Sequence, residues 1–149
     1  MTPLCTIGYE GSSPAAWLDT LRAHSVQVVV DVRDLPLSRR RGFSKSALQE
    51  SLGESGLEYV HVRALGNPKE LRQALKTGLP FDDFARTFTA LLDDRDDALD
   101  LVAALSLDKR VCLLCFEEDP AHCHRSLVAD RLAAMSNGAL EVEHLRHAG

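Results

Sequence analysis

The chain has 149 residues and a net charge of −5, with 45% hydrophobic and 26% charged residues, the length of one domain and the balance of a globular protein. A chain this acidic has no overall electrostatic footprint for nucleic acid, so such binding requires a local patch. No apolar run reaches the roughly 20 residues of a membrane span, and the Met1 end lacks the pattern of a signal peptide; the expectation is a cytoplasmic protein with no membrane partner.

Leu4 to Ile7 reads as a short strand that runs into the polar turn Gly8, Tyr9, Glu10, Gly11 and Ser12. Ser13 is placed to cap a helix that opens with Pro14 and buries Trp17, Leu18 and Leu21. The glycine turn suits an anion through its backbone N–H groups, although its spacing is not that of the dinucleotide fingerprint. Val26 and Val28 to Val30 form a second buried strand, which delivers Asp31 and Arg33 to one face because their side chains alternate with Val32. Asp34 to Ser44 follows as a basic loop with Ser38, Arg39, Arg40 and Arg41, and Lys45 lies just beyond. This cationic patch suits phosphate or carboxylate, with Phe43 as a stacking surface. Ser44 is expected to cap a helix through Ala47, Leu48 and Leu52 that Gly53 or Gly56 ends. A third strand over Leu57, Tyr59, Val60 and Val62 leads to a polar loop, Leu65 to Lys69, where Asn67 is held extended before Pro68 and Lys69 is available for an anion.

Phe81, Phe84, Ala85, Phe88, Leu91 and Leu92 trace a helical stripe. The acidic run Asp93, Asp94, Asp96 and Asp97 interrupts it before Ala98, Leu99, Val102 and Leu105 resume, so the pattern fits one helix or two. Val111 to Phe116 is continuously apolar, the mark of a parallel strand buried on both faces. Glu117, Glu118, Asp119 and Pro120 stop it; Leu127, Val128, Arg131, Leu132 and Met135 then recur at helical spacing, which puts Cys123, His124 and Arg125 at a helix start. Leu140, Val142 and Leu145 make a final edge strand. The sum is a single α/β domain over 1–149: a three-layer α/β/α arrangement on a mostly parallel sheet of about five strands, Rossmann-like or flavodoxin-like. Strand-end loops then converge on one rim, so Glu10, Asp31, Arg33, Asn67, Cys115 and Arg125 are expected around one crevice.

Four cysteines in such a chain read as free thiols, catalytic groups or metal ligands rather than a disulfide scaffold. Cys112 and Cys115 point to opposite faces of their strand, and Cys5 and Cys112 are expected in the core. Cys115 and Cys123 are the pair at the rim. They suit thiol chemistry, in which the helix start and Arg125 lower the pKa of Cys123. They also suit a metal shared with His122 or His124, or simple packing of the turn. The leading assignment is an enzyme acting on a phosphate-bearing substrate, a nucleotide or a nucleic-acid end. Its catalytic candidates are Cys115, Cys123, Glu10 and Asp31. The substrate would meet Gly8, Tyr9 and Gly11 on one side, Arg33, Ser38 and Arg39 on another, and Asn67, Lys69, Glu117, His124 and Arg125 beyond. No metal or cofactor is assigned. The alternatives are a nucleotide- or nucleic-acid-binding module that uses Arg39 to Arg41, and a Cys/His metal-binding protein.

Four motifs in this order carry a family resemblance: TIGYEG at Thr6 to Gly11; Asp31-Val32-Arg33 with Pro36 and Ser38-Arg39; Leu65-Gly66-Asn67-Pro68; and Cys115 through Glu117 to Cys123-His124-Arg125. Together they resemble the uncharacterised domain-of-unknown-function family numbered 488, over most of the chain. The resemblance implies the same cytosolic α/β domain and the same polar rim, and it implies no reaction.

Overall fold

Run length and side-chain alternation decide which residues become strands and which layer each side chain enters. The computed structural model describes residues 2–147. Its strands are β1 (Thr2–Gly8), β2 (Val28–Asp31), β3 (Glu58–His61), β4 (Val111–Cys115) and β5 (Leu140–His144). They form one sheet in the order β3-β2-β4-β1-β5, and every pair is parallel. All five residues of β4 are buried, as befits a strand paired on both sides and covered on both faces. Only alternate residues of β5 are even partly covered, and β5 lies at an edge as expected.

Helices α1 (Pro14–Ala23) and α2 (Lys45–Glu54) cover one face. Trp17, Leu21, Leu48 and Leu52 pack there on Cys5, Ile7, Val29, Cys112 and Leu114. Helices α3 (Lys69–Lys76), α4 (Phe81–Leu92), α5 (Asp96–Ser106) and α6 (His124–Met135) belong to the other side. Phe84, Phe88, Leu99, Val102, Val128 and Leu132 meet Leu4, Val28, Val30, Val111 and Leu113. Burying each such side chain stabilises the fold by roughly 1.5–3 kcal/mol. The result is a three-layer α/β/α structure, in which Cys112 and Cys115 enter opposite cores and Cys5 and Cys112 are free and buried.

The chain leaves β2 for one edge strand, β3, through α2 on one face. It leaves β4 for the opposite edge, β5, through α6 on the other face. Because these connections diverge between neighbouring strands, a crevice opens at the C-terminal ends of β2 and β4.

The helix ends show where local chemistry wins. Ser13 Oγ accepts from Ala16 N at 3.1 Å ahead of Pro14, as its sequence position predicts. Ser44 does precede α2, but it makes no capping bond; its hydroxyl instead accepts from Ser38 N at 2.9 Å and so ties the basic loop to the helix start. The chain between 81 and 106 forms two helices, broken at 93–95. Helix α3 begins at Lys69, expected at the end of a polar loop, and continues over 70–76, to which the sequence pattern assigns no element. None of its side chains is fully buried, its stripe of Leu71, Ala74 and Leu75 is confined to 8 residues, and Lys69 is its exposed first residue. Among the described residues no helix is long and apolar enough to cross a membrane.

Candidate functional site

The end of β2 builds one wall. Asp31 and Arg33 face the same way, as alternation requires, and they bind each other: Arg33 donates Nε to Asp31 Oδ1 at 2.8 Å and Nη2 to Oδ2 at 2.7 Å. Arg33 Nη1 also donates to the Phe43 carbonyl at 2.7 Å and to Tyr9 Oη at 3.3 Å. Tyr59 donates to Asp31 Oδ2 at 2.6 Å. Burial works against the Arg33 charge, but Asp31 and then Tyr9 outweigh it and hold the guanidinium protonated. Burial and the bond to Asp31 together raise the Tyr59 hydroxyl above its ordinary range. Phe43 is not a surface for a ligand base. It is fully buried and stacks on Tyr9 with ring centroids 4.5 Å apart, because the loop folds back over the core.

The end of β4 and the start of α6 build the opposite wall. Cys123, with extended backbone, immediately precedes α6, and His124 is the first helical residue. The sulfurs of Cys115 and Cys123 are joined in a disulfide with a Cα–Cα distance of 7.5 Å. In this form neither is the free low-pKa thiol that the sequence suggested, since both sulfurs converge from a strand end and a helix start. His124 Nε2 donates to the Val32 carbonyl at 2.6 Å. Burial pushes the His124 pKa down to about 4, only partly opposed by that bond, so the ring is neutral near pH 7. Arg125 is fully buried. It donates to Cys115 Sγ at 3.3 Å, to the Glu117 carbonyl and to the Glu118 carbonyl at 3.2 Å. Its Nη1 and Nη2 groups therefore brace the turn after β4, while its buried Nε has no partner among the described residues. Glu117 Oε2 lies 3.5 Å from Cys115 Sγ. Burial raises the Glu117 carboxyl above its ordinary range, against a backbone hydrogen bond and Arg125. His122 points elsewhere: it is exposed, pairs with Asp119 at 2.9 Å and sits edge-on to Phe81.

A cavity of about 1080 Å3 lies between the two walls. Of the residues singled out in the sequence, Tyr9, Glu10, Gly11, Arg33 and Ser38 line it, as do Arg39, Asn67, Cys115, Glu117 and His124. Asp31, Cys123 and Arg125 stand behind the lining, each bonded to a residue in it. Gly8 is where the β1 turn meets the β4 turn: a Cβ there would fall 1.9 Å from the Glu117 carbonyl oxygen. Tyr9 N and Glu10 N donate to the Phe116 carbonyl at 3.1 and 2.9 Å. Glu10 Oε1 accepts from Glu118 N at 3.1 Å. Lys69 is not in the lining.

Sequence reasoning missed Arg72 and Lys76, two lining cations four residues apart on α3, whose i, i+4 spacing is the one signal that could have found them. It also missed Asp34, which accepts from Arg72 at 2.9 Å and Arg63 at 3.3 Å. Burial raises that carboxyl, but the two arginines outweigh it and the pKa is lowered. The lining thus holds Arg33, Arg39, Arg40, Arg72 and Lys76 against Glu10, Asp34 and Glu117, five cations to three acids. Arg33 and Arg72 are engaged by Asp31 and Asp34. Among the described residues no carboxylate pairs with Arg39, Arg40 or Lys76. Asn67 is 8% exposed, and its buried Oδ1 has no hydrogen-bond partner among the described residues. The exposed side chains of Leu35, Leu37 and Phe116 complete the mouth.

A model of the family described as "Domain of unknown function DUF488" matches residues 13–132, a span that holds three of the four motifs and leaves Thr6 to Gly11 before it. No curated protein and no solved structure matches the chain.

Proposed function

The chain belongs to the DUF488 family, whose description names no activity, and we propose that it is an enzyme acting on a phosphate-bearing substrate, a nucleotide or a nucleic-acid end, bound in the crevice between β2 and β4. The observation that carries this reading is the meeting of three carboxylate-free cations, Arg39, Arg40 and Lys76, with the Cys115 sulfur and the Glu117 carboxyl in one cavity of an acidic chain. Guanidinium groups match phosphate geometry at two points. Leu35, Leu37 and Phe116 give an apolar body such as a base a surface to leave water against. The unsatisfied Oδ1 of Asn67 offers an acceptor for a substrate N–H or O–H. Glu117, lifted by burial, is suited to hold and return a proton. In the dithiol form of the Cys115–Cys123 pair, the reacting corner is that of Glu117 and Cys115.

The test uses a panel of nucleoside mono-, di- and triphosphates and 5′-phosphorylated oligonucleotides, with binding followed by calorimetry and turnover by chromatography. Arg39→Ala combined with Lys76→Ala weakens binding, and Cys115→Ser removes turnover while binding persists. Unchanged affinity in the double variant sinks the proposal. Binding lost with Arg39→Ala, together with no turnover of any bound ligand by the wild type, leaves the basic-loop binding module instead.

A further inference from the structure

Cys115, Cys123 and His124 bring three ligand atoms within 4.8 Å of one another, all buried, from the end of β4, the residue before α6 and the first residue of α6. Two features suit this group to a shared ion. The Cα–Cα distance of 7.5 Å is wider than the roughly 4.4–6.8 Å usual for bridged cysteines, and it leaves room for two sulfurs about 3.8 Å apart on one tetrahedral metal with Zn–S bonds near 2.3 Å. In addition, the Val32 carbonyl only accepts, so it fixes the proton of His124 on Nε2; this leaves the lone pair of Nδ1 3.9 Å from Cys123 Sγ. A ring nitrogen held by a backbone carbonyl behind a free one is the support that metal-bound histidines have. Adjacent residues reach one point here because Cys123 is extended (φ −130°, ψ 140°) while His124 begins the helix.

We infer that the dithiol form of the chain binds one Zn2+ ion through Cys115 Sγ, Cys123 Sγ and His124 Nδ1, with the fourth coordination position open to the crevice. Two thiolates and an imidazole favour zinc or cobalt over magnesium or calcium. Two thiolates also neutralise the ion's charge in a buried place, and the Arg125 N–H directed at Cys115 Sγ supports the ligating sulfur. Three protein ligands with one open position is the arrangement of catalytic rather than structural zinc. Cys115 and His124 line the crevice and Cys123 lies behind, so the open position faces a substrate oxygen or a water. Only this use of the ion rests on the proposed reaction; the binding of the metal stands on the geometry of the three ligands.

The S–S bond must first open. A trialkylphosphine does this by taking the oxygen of one water to become the phosphine oxide, while the two protons of that water go to the two sulfurs; metal binding then releases those protons. The test is made on the full chain, reduced, freed of phosphine and assayed for thiols. Added Co2+ is expected to bind at one equivalent per chain with thiolate-to-cobalt charge-transfer and strong tetrahedral visible bands, and Zn2+ displaces it. Cys115→Ser, Cys123→Ser and His124→Ala each lose the charge-transfer signal or reduce the affinity at least about tenfold. Because these buried substitutions can disturb folding, the wild type carries a second readout: Zn2+ at ten times its dissociation constant slows alkylation of Cys115 and Cys123 about tenfold, mapped by mass spectrometry. A reduced wild type with its thiols intact that shows neither charge transfer nor protection overturns the inference. So does cobalt binding that survives both cysteine variants. Phosphate-ligand affinity measured on the metal-free chain reports separately on the crevice.

Discussion

Arg33 and Asp31 bind each other at two points inside the protein, with side chains 7% and 0% exposed. Removing one member strands the other in a medium that does not solvate it. Arg33→Ala is therefore expected to cost about 3–5 kcal/mol, while Asp31→Asn with Arg33→Leu costs less than the sum of the single changes. Urea unfolding of wild type, Arg33→Ala, the two single variants and the double variant checks this, and an Arg33→Ala variant within about 1 kcal/mol of wild type contradicts it.

Gly8 lets the turns after β1 and β4 touch. An added Cβ would meet the Glu117 backbone at 1.9 Å, and backbone cannot swing aside as a flexible side chain can. Gly8→Ala should lose about 1–3 kcal/mol or more. Gly53→Ala, near the end of α2 with no described atom within 4 Å of the new Cβ, should hold or gain up to about 1 kcal/mol. Calorimetric melting separates the two, and equal transitions for both variants would show that the turns are not in contact.

Asn67 carries a buried oxygen without a partner in the free protein, so its amide does little for the fold. Asn67→Ala should leave stability within about 1 kcal/mol of wild type yet weaken binding of whichever phosphate-bearing ligand the crevice takes by about 1–3 kcal/mol, the cost of a lost polar partner. A variant that is destabilised with its affinity intact reverses this assignment.

Burial, then the negative charge of Glu143, raises the Cys5 thiol to about 11 against the opposing pull of Arg110. An unfolded chain releases that proton near pH 8.5. The folded state thus holds the proton longer: the contribution of Cys5 is whole below about pH 8.5 and fades as pH climbs toward 11. Wild type should lose more stability than Cys5→Ala between pH 8 and pH 10, as read from urea midpoints, and parallel losses would remove Cys5 from the alkaline response.

Much of the frame was legible because it rests on apolar periodicity. The continuous run at Val111 to Phe116 located the central strand, and the alternation of Asp31 with Arg33 placed both on one wall. Helix α3 was illegible because it is only 8 residues long, too short for the stripe of Leu71, Ala74 and Leu75 to repeat. Phe43 and Arg125 misled for one shared reason: sequence shows that a ring or a cation is present, whereas only packing shows that Tyr9 covers the first and two carbonyls occupy the second. The meeting of Cys115 with Cys123 followed from the strand-turn-helix pattern. That His124 and not His122 joins them depends on which residue opens α6.

The two neighbours of β1 come from the far end of the chain, Cys5 aligning with Cys112 and Thr2 with Leu140. On the ribosome, β1 therefore emerges first and is partnered last. At roughly 5–20 residues per second, about 5–20 s separate the synthesis of Cys5 from that of Cys112. In the later part of that interval, once residue 61 is made, β2 and β3 can pair, while an apolar strand waits with both edges open, the state in which nascent chains stick to one another.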